Sequence, residues 1–116
     1  MKDYKDWIVW QKSIELVTFI YKITNTFPKH ELHGLASQMQ RAAVSVLSNF
    51  VEGYLKSSKK EKRVYMERAE TSLLELDAQM EVCMVLNYIT GHDFQLFELK
   101  KSEVGYLLYR YKGKIY

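Results

Sequence analysis

Apolar residues recur at alternating intervals of three and four along most of this 116-residue chain. One long run with this spacing consists of Met66, Ala69, Leu73, Leu76, Met80 and Cys83. Such spacing places side chains on one face of an α-helix, and it differs from the strict alternation of a half-buried β-strand. Proline occurs only once, at Pro28, and glycine five times, so few positions would interrupt a helix. The pattern therefore predicts an all-α protein.

Four segments carry the helical spacing, and they predict helices at about residues 7–26, 32–55, 59–89 and 93–112. Pro28 would end the first helix, and Gly91 is well placed to end the third. Ser58 and Glu61 match a capping box at the start of the third helix, and Asp93 is a candidate N-cap for the fourth. Short connections favour antiparallel neighbours. We therefore expect residues 1–116 to form a single domain, an antiparallel up-down-up-down four-helix bundle.

The first two segments differ from ordinary surface helices. The first has two adjacent apolar stripes, which are Trp7, Trp10, Ile14, Val17 and Tyr21, and Leu16, Ile20, Ile23 and Phe27. The second segment contains only two charged residues, Arg41 and Glu52. A helix at the surface of a globular protein normally has a charged outer face. We therefore interpret the second segment as a central helix, covered by its neighbours or by another subunit.

A polar stripe runs along the second segment at intervals of three and four: Gln38, Arg41, Ser45, Asn49 and Glu52. If the third helix folds back antiparallel, Arg41 lies near Ser72 and Glu75, which predicts an Arg41–Glu75 ion pair inside the bundle. A buried arginine without a partner would be destabilising by roughly 3–5 kcal/mol. The seven residues are interpreted as a structural polar network that sets helix register. A ligand site in the bundle core and a subunit interface remain alternatives.

Positive charge is concentrated in two short stretches, although the formal net charge is only +3. The first contains Lys56, Lys59, Lys60, Lys62 and Arg63, and the second contains Arg110, Lys112 and Lys114. In an up-down bundle these bases should gather at one end, where they would suit contacts with nucleic-acid phosphates. The alternative is a solvated helix end. Tyrosines interleave with the second stretch, at positions 106, 109, 111 and 116, and they could stack on unpaired bases or pack in the bundle.

No arrangement of residues indicates catalysis, a cofactor or a metal site. His30, Glu31 and His33 are a weak metal signal, since no further ligand lies close in sequence. Cys83, the only cysteine, belongs to an apolar stripe, where a buried, inert thiol is the usual role. The charged N-terminus is unlike a signal peptide, and no apolar run is long enough to cross a bilayer. We expect a cytoplasmic, non-enzymatic protein with no membrane partner.

The stretch from Phe27 to Gly53 resembles the signature of the 23S rRNA intervening-sequence proteins, also called four-helix-bundle proteins. Residues 69–76, Ala-Glu-Thr-Ser-Leu-Leu-Glu-Leu, resemble the third-helix motif of that family, and residues 10–17 also fit. The resemblance runs from about Trp7 to Ile89. It implies a bacterial, cytoplasmic bundle that can form a ring-shaped homopentamer, and it brings no catalytic residues.

The chain is also similar to the accessory variability determinant of diversity-generating retroelements, a basic pentameric barrel that binds nucleic acid and a reverse transcriptase. Together with the charge pattern, these resemblances predict a non-catalytic, oligomeric adaptor or scaffold protein. Its expected partners are RNA or DNA, and a reverse transcriptase or another protein. The alternative is a structural or protein-interaction module that does not bind nucleic acid.

Overall fold

The computed structural model describes residues 3–4 and 7–115. Its four α-helices are α1 (Ile8–Thr24), α2 (Leu35–Leu55), α3 (Lys59–Val85) and α4 (Gly91–Lys112). A short 3-10 helix, Lys29–Glu31, lies between α1 and α2. The described residues form no β-strand, so the all-α prediction is confirmed.

Contacts between successive helices show that neighbours run antiparallel. Met39, early in α2, contacts Cys83 near the end of α3, with 3.5 Å between the two sulfur atoms. Ser45, further along α2, contacts Ser72, which lies further back in α3. Contacts in the same reversed order are found between α3 and α4, between α4 and α1, and between α1 and α2. The result is the predicted four-helix bundle, with extents of 44 × 25 × 20 Å.

The core lies along the axis of the bundle, where each helix contributes one apolar stripe. In α3 the stripe that the spacing predicted, from Met66 to Cys83, is buried throughout. In α1 only the second predicted stripe, from Leu16 to Phe27, is buried. The first stripe is partly exposed, and Tyr21 keeps 43% of its surface in solvent. The wide apolar face of α1 therefore exceeds what this one chain covers.

The structure agrees in part with the interpretation of α2 as a helix covered by its neighbours or by another subunit: its neighbours cover most of it, but one side is exposed. Helix α2 packs against α1 and α3, and α1 and α3 also pack against α4, so the four helices form a closed square. The outer face of α2 is exposed at Gln38, Arg41, Val44 and Ser48. Its low charge is thus a property of a surface that this chain leaves uncovered.

Helix α3 ends at Val85, earlier than the predicted residue 89. Asn87 has a φ of 59°, in the left-handed region. The Tyr88 amide then donates to the Cys83 carbonyl (2.9 Å), and the Asn87 amide donates to the Met84 carbonyl (3.1 Å). This is a Schellman motif with asparagine at the position that glycine usually occupies.

Helix α4 begins at Gly91, so the glycine that was expected to end α3 is the first residue of the next helix. The N-cap is Thr90 rather than Asp93. Thr90 Oγ1 accepts a hydrogen bond from the Asp93 amide (3.1 Å), and Asp93 Oδ2 accepts one from the Thr90 amide (3.3 Å). Asp93, the third residue of α4, therefore completes a capping box with Thr90.

Among the remaining helix ends, the end of α2 at Leu55, the start of α3 at Lys59 and the end of α4 at Lys112 match the predicted bounds, and the others differ by one to three residues. Helix α1 spans Ile8–Thr24, and α2 begins at Leu35 rather than at residue 32. The Glu31 carboxylate accepts a hydrogen bond from the Leu35 amide (3.2 Å), which supplies the first turn of α2 with an acceptor. At the start of α3, Ser58 Oγ accepts from the Glu61 amide (3.3 Å), which is half of the predicted capping box. None of the described helices is long and apolar enough to span a membrane.

Candidate nucleic-acid interface

The fold brings the two basic stretches of the sequence together at one end of the bundle. At this end α1 and α3 begin and α2 and α4 end. The Arg63 guanidinium donates to the Ile115 carbonyl, which joins the first basic stretch to the second. Lys59, Lys62 and Lys114 line one shallow groove there. We call this surface the basic end, and its residues are Lys56, Lys59, Lys60, Lys62, Arg63, Arg110, Lys112 and Lys114.

Aromatic rings lie beneath the basic end and pack the four helices together. The ring centroids of Trp7 and Tyr111 lie 5.0 Å apart in an edge-to-face arrangement, and those of Phe50 and Tyr111 lie 5.2 Å apart. Tyr54 contacts all three rings. Tyr111 is buried, and burial raises the pKa of its hydroxyl. For Tyr111, the packing alternative from the sequence is therefore the observed role.

Several cations of the basic end rest on these or neighbouring rings. The Lys114 ammonium lies 5.4 Å from the centroid of the Trp7 ring, and the Lys56 ammonium lies 5.2 Å from that of Tyr65. Lys62 Nζ donates to the Tyr54 carbonyl at 2.8 Å. The negative face of an aromatic ring attracts a cation. The rings thus partly offset the repulsion among like charges at this end.

The cations differ in how far they are free to contact a ligand. Lys112 Nζ lies 2.9 Å from Glu70 Oε1, and this hydrogen bond raises the pKa of Lys112. Lys59, Lys60 and Lys114 are exposed, and none of them forms an ion pair with any carboxylate in the described part of the chain. Lys59 and Lys60 also lie in the first turn of α3, where the helix dipole favours an anion. These three lysines are the strongest candidates for phosphate contacts.

Two open grooves flank the last turns of α4. The α3–α4 groove has a volume of about 580 Å³ and is lined by Arg63, Glu67, Tyr109, Arg110, Lys112, Gly113 and Lys114. The α1–α4 groove has a volume of about 210 Å³ and is lined by Trp7, Ile8, Val9, Tyr106, Leu107, Arg110, Tyr111 and Lys114. Arg110 and Lys114 line both grooves, so the ridge between the grooves is positively charged.

The predicted polar network is only partly assembled. Ser45 Oγ lies 2.8 Å from Ser72 Oγ, and Asn49 Nδ2 donates to Ser45 Oγ at 2.9 Å and to the Ser45 carbonyl at 2.8 Å. These three residues form a polar seam between α2 and α3. The other four proposed members are exposed and lie outside the seam; they are Gln38, Arg41, Glu52 and Glu75.

The predicted Arg41–Glu75 ion pair is wrong. Arg41 borders an open groove between α1 and α2, together with Tyr21 and Val44. Glu75 lies on the exposed side of α3, where it accepts a hydrogen bond from Gln79 at 3.4 Å. The antiparallel pairing of α2 and α3 fixes the height of each residue along the bundle, but it does not fix the direction in which the side chain points around the helix axis. Solvent exposure avoids the cost of burying the guanidinium.

The opposite end of the bundle carries the histidines and glutamate that the sequence singled out. Tyr88 Oη donates to Glu31 Oε2 at 2.8 Å, and this hydrogen bond lowers the pKa of Glu31. His30 Nε2 lies 3.9 Å from the same carboxylate, whereas His33 is exposed. Among the described residues, no group of three or more His, Cys, Asp or Glu side chains could hold a metal ion.

Sequence reasoning missed the acidic partners and the aromatic floor of the basic end. Glu70 neutralises Lys112, and Glu67 lines the α3–α4 groove. The antiparallel register of α3 and α4 could have indicated the Glu70–Lys112 pair. Nothing in the sequence indicated that Trp7 and Tyr54 would lie beneath the basic end, since each has the spacing of an ordinary core position.

A comparison with protein families agrees with this architecture. The family model described as 23S rRNA-intervening sequence protein matches residues 5–110. The chain belongs to this family. In this family member the match takes in α1, α2, α3 and α4 as far as Arg110, so Lys112 and Lys114 lie outside it. No curated protein matches the chain, and the similarity to the accessory variability determinant stays a prediction.

Proposed function

We propose that this protein is a non-catalytic, nucleic-acid-binding adaptor that contacts phosphates through the basic end. The observation that carries the proposal is the meeting of two separate basic stretches on one surface, which the Arg63–Ile115 contact holds together. The family description, which refers to an rRNA-intervening sequence, favours RNA as the partner. A bacterial cytoplasmic location belongs to the same proposal.

Binding of this kind is driven by the release of counterions from the phosphate backbone. Each phosphate neutralised adds a slope of about −0.9 for duplex DNA, or about −0.7 for a single strand, to the plot of log K against log salt. Lys59, Lys60 and Lys114 form no ion pairs with described carboxylates. We therefore expect a slope of about −2 or steeper for one protein chain.

Oligomerisation would strengthen this binding, and it forms part of the proposal. Large apolar side chains on the outer face of α3 are exposed, among them Leu74 (68%), Val82 (46%) and Val85 (79%). The outer face of α2 carries little charge, and the first apolar stripe of α1 is partly uncovered. Surfaces of this kind commonly mark contacts between proteins. A ring of five subunits would present five copies of the basic end to one polyanion, which raises avidity.

Fluorescence anisotropy with labelled RNA and DNA, measured over a series of salt concentrations, tests the proposal. We expect Lys59→Glu/Lys60→Glu to weaken binding at least about tenfold and to reduce the salt slope by about 1–2. Acidic residues in the first turn of α3 suit the helix dipole, so this variant should fold. The matched control is Lys22→Glu/Lys29→Glu, which makes the same change in charge at exposed positions of the opposite end.

Two outcomes would contradict the proposal. If the wild-type protein binds neither RNA nor DNA at low salt, the nucleic-acid role is wrong. If the two double variants weaken binding equally, the effect comes from net charge and the basic end is not the site. Failure to bind would favour the alternative function, a protein-interaction module, for which the exposed apolar residues of α3 are the supporting observation.

A further inference from the structure

We infer that the last turns of α4 bind single-stranded nucleic acid, with unpaired bases stacked on Tyr106 and Tyr109. Arg110 and Lys114 would contact the phosphates of the same strand. This inference rests on the proposed function and goes further, because it names the form of nucleic acid that the basic end selects and the side chains that select it.

The exposure of the two tyrosines is the first observation. Tyr109 keeps 66% and Tyr106 keeps 57% of its surface in solvent, whereas Tyr111 keeps only 8%. All three lie within the same two turns of α4, so exposure is not a general property of this segment. Tyr106 and Tyr109 are three residues apart and therefore neighbours on the helix surface. Two exposed aromatic rings on one stretch of helix offer faces on which bases can stack.

The grooves on the two sides of α4 place each ring beside positive charge. Tyr109 lines the α3–α4 groove and Tyr106 lines the α1–α4 groove, while Arg110 and Lys114 line both. The Arg110 guanidinium donates to Tyr106 Oη at 2.9 Å and lies 5.7 Å from the centroid of its ring. A strand that crosses the ridge would place one base on each side and its phosphate between them.

Acidic residues restrict where the phosphates can lie. Glu67 lines the α3–α4 groove, and Glu70 holds Lys112 at 2.9 Å. On the α3 side of that groove Glu67 offsets the positive charge of Arg63, and the Glu70–Lys112 pair carries no net charge. The phosphate is therefore favoured on the ridge of Arg110 and Lys114, and the groove beside Tyr109 is left for the uncharged base.

The arrangement favours a single strand over a duplex. In a duplex the faces of the bases are stacked on one another, so they are not available to the tyrosines. The cations of the basic end lie in the first turns of α3, in the last turn of α4 and just beyond it, with Lys56 just before α3. No described helix carries a basic face along its length that could lie in a major groove. Stacking accepts any base, so we expect little preference among sequences.

The experiment compares four fluorescein-labelled ligands by anisotropy at one low salt concentration. They are oligothymidylate and oligouridylate of 20 nucleotides, an abasic DNA oligomer of the same length, and a 20-base-pair duplex. The variants are Tyr106→Ala, Tyr109→Ala and Tyr109→Phe. The matched control is Leu99→Ala, which removes a large side chain that is 70% exposed on the same helix but lines neither groove.

We expect each alanine variant at Tyr106 or Tyr109 to weaken oligothymidylate binding by about 5- to 30-fold. Tyr109→Phe keeps the ring and should change the affinity by less than about threefold, and Leu99→Ala should leave it unchanged. The abasic oligomer should bind less tightly than oligothymidylate, and Tyr109→Ala, which leaves the Arg110–Tyr106 contact intact, should not affect it. Circular dichroism spectra should be unchanged, because both tyrosines are exposed. The comparison of oligothymidylate with oligouridylate decides between DNA and RNA.

The results separate this inference from the proposed function. If the abasic oligomer or the duplex binds as tightly as oligothymidylate, or if both alanine variants bind like wild type, stacking is overturned while phosphate binding stands. If no ligand binds, the proposed function itself fails.

Discussion

At the scale of single residues, two glycines within helices differ in how much space surrounds them. A Cβ atom on Gly53 would lie 2.8 Å from Tyr65 Cβ and 2.5 Å from Met66 Cε, so α2 and α3 approach each other closely at this point. A Cβ atom on Gly105 would meet only Leu73 Cδ2, at 3.4 Å. The first glycine is therefore required by packing, and the second is not.

We expect Gly53→Ala to lower the free energy of unfolding by about 1–3 kcal/mol, because the added methyl group overpacks the interface between α2 and α3. Gly105→Ala should raise it by up to about 1 kcal/mol, since alanine favours a helix over glycine. Urea denaturation of the two variants measures both effects. A loss of stability in Gly105→Ala equal to that of Gly53→Ala would contradict this reading of the contacts.

Cys83 illustrates a buried group whose ionisation is coupled to folding. Its side chain is fully buried, and burial raises the pKa of the thiol from 9.0 to about 11. The folded state thus favours the neutral thiol, so this stabilising contribution is present below pH 9 and is lost as the pH rises toward 11. The free energy of unfolding of wild type should fall more steeply over that range than that of Cys83→Ala.

A thiol reagent provides a second measurement for Cys83. At pH 8 the native protein should react with Ellman's reagent only as fast as it unfolds, whereas the protein in urea should react at once. Rapid labelling of the native state would show that the thiol is accessible.

At the scale of helices, spacing predicted the buried stripe of α3 well but not how α3 ends and α4 begins. The intervals from Met66 to Cys83 identified the buried stripe of α3 because burial follows the helical period directly. The ends depend on competing local hydrogen bonds, which spacing does not register. Asn87 took the role expected of Gly91, and Thr90 took that expected of Asp93.

The Schellman motif at the end of α3 makes a testable claim about Asn87. A β-branched residue is strained at a φ of 59°, so Asn87→Val should lower the free energy of unfolding by about 1–2 kcal/mol. Asn87→Gly is the matched control, and it should leave stability unchanged or slightly higher. Since Asn87 is exposed, neither variant alters the core. Thermal denaturation compares the two, and equal stability of both variants would argue against the motif.

At the scale of the whole molecule, topology decided which predictions held. An up-down-up-down order was enough to place both basic stretches at one end, and the Arg63–Ile115 contact confirms that placement. It was not enough for the Arg41–Glu75 pair, because topology leaves the rotation of each helix about its axis open. The α3–α4 and α1–α4 grooves depend on both the topology and the rotation of the helices. The sequence could therefore indicate the tyrosines near them but not which of these rings remain exposed.

The uncovered apolar surfaces predict self-association, and the family resemblance implies that the number of subunits is five. We expect the protein to behave as a homopentamer, with a mass of about five times that of one chain, in size-exclusion chromatography with multi-angle light scattering. Leu74→Glu/Val85→Glu places charge on the exposed side of α3, and if that side forms the contact the mass should fall toward that of one chain. A monomer mass for the wild-type protein would remove the avidity argument, although a single chain could still bind weakly.

The positions of the start of α1 and the end of α4 matter for the design of expression tags. Helix α1 begins and α4 ends at the basic end, so a tag fused close to either of these points lies near the proposed binding surface. A polyhistidine tag would add cationic charge there below about pH 6.5 and could mimic or mask the affinity of the protein itself. Binding measurements therefore call for cleaved protein.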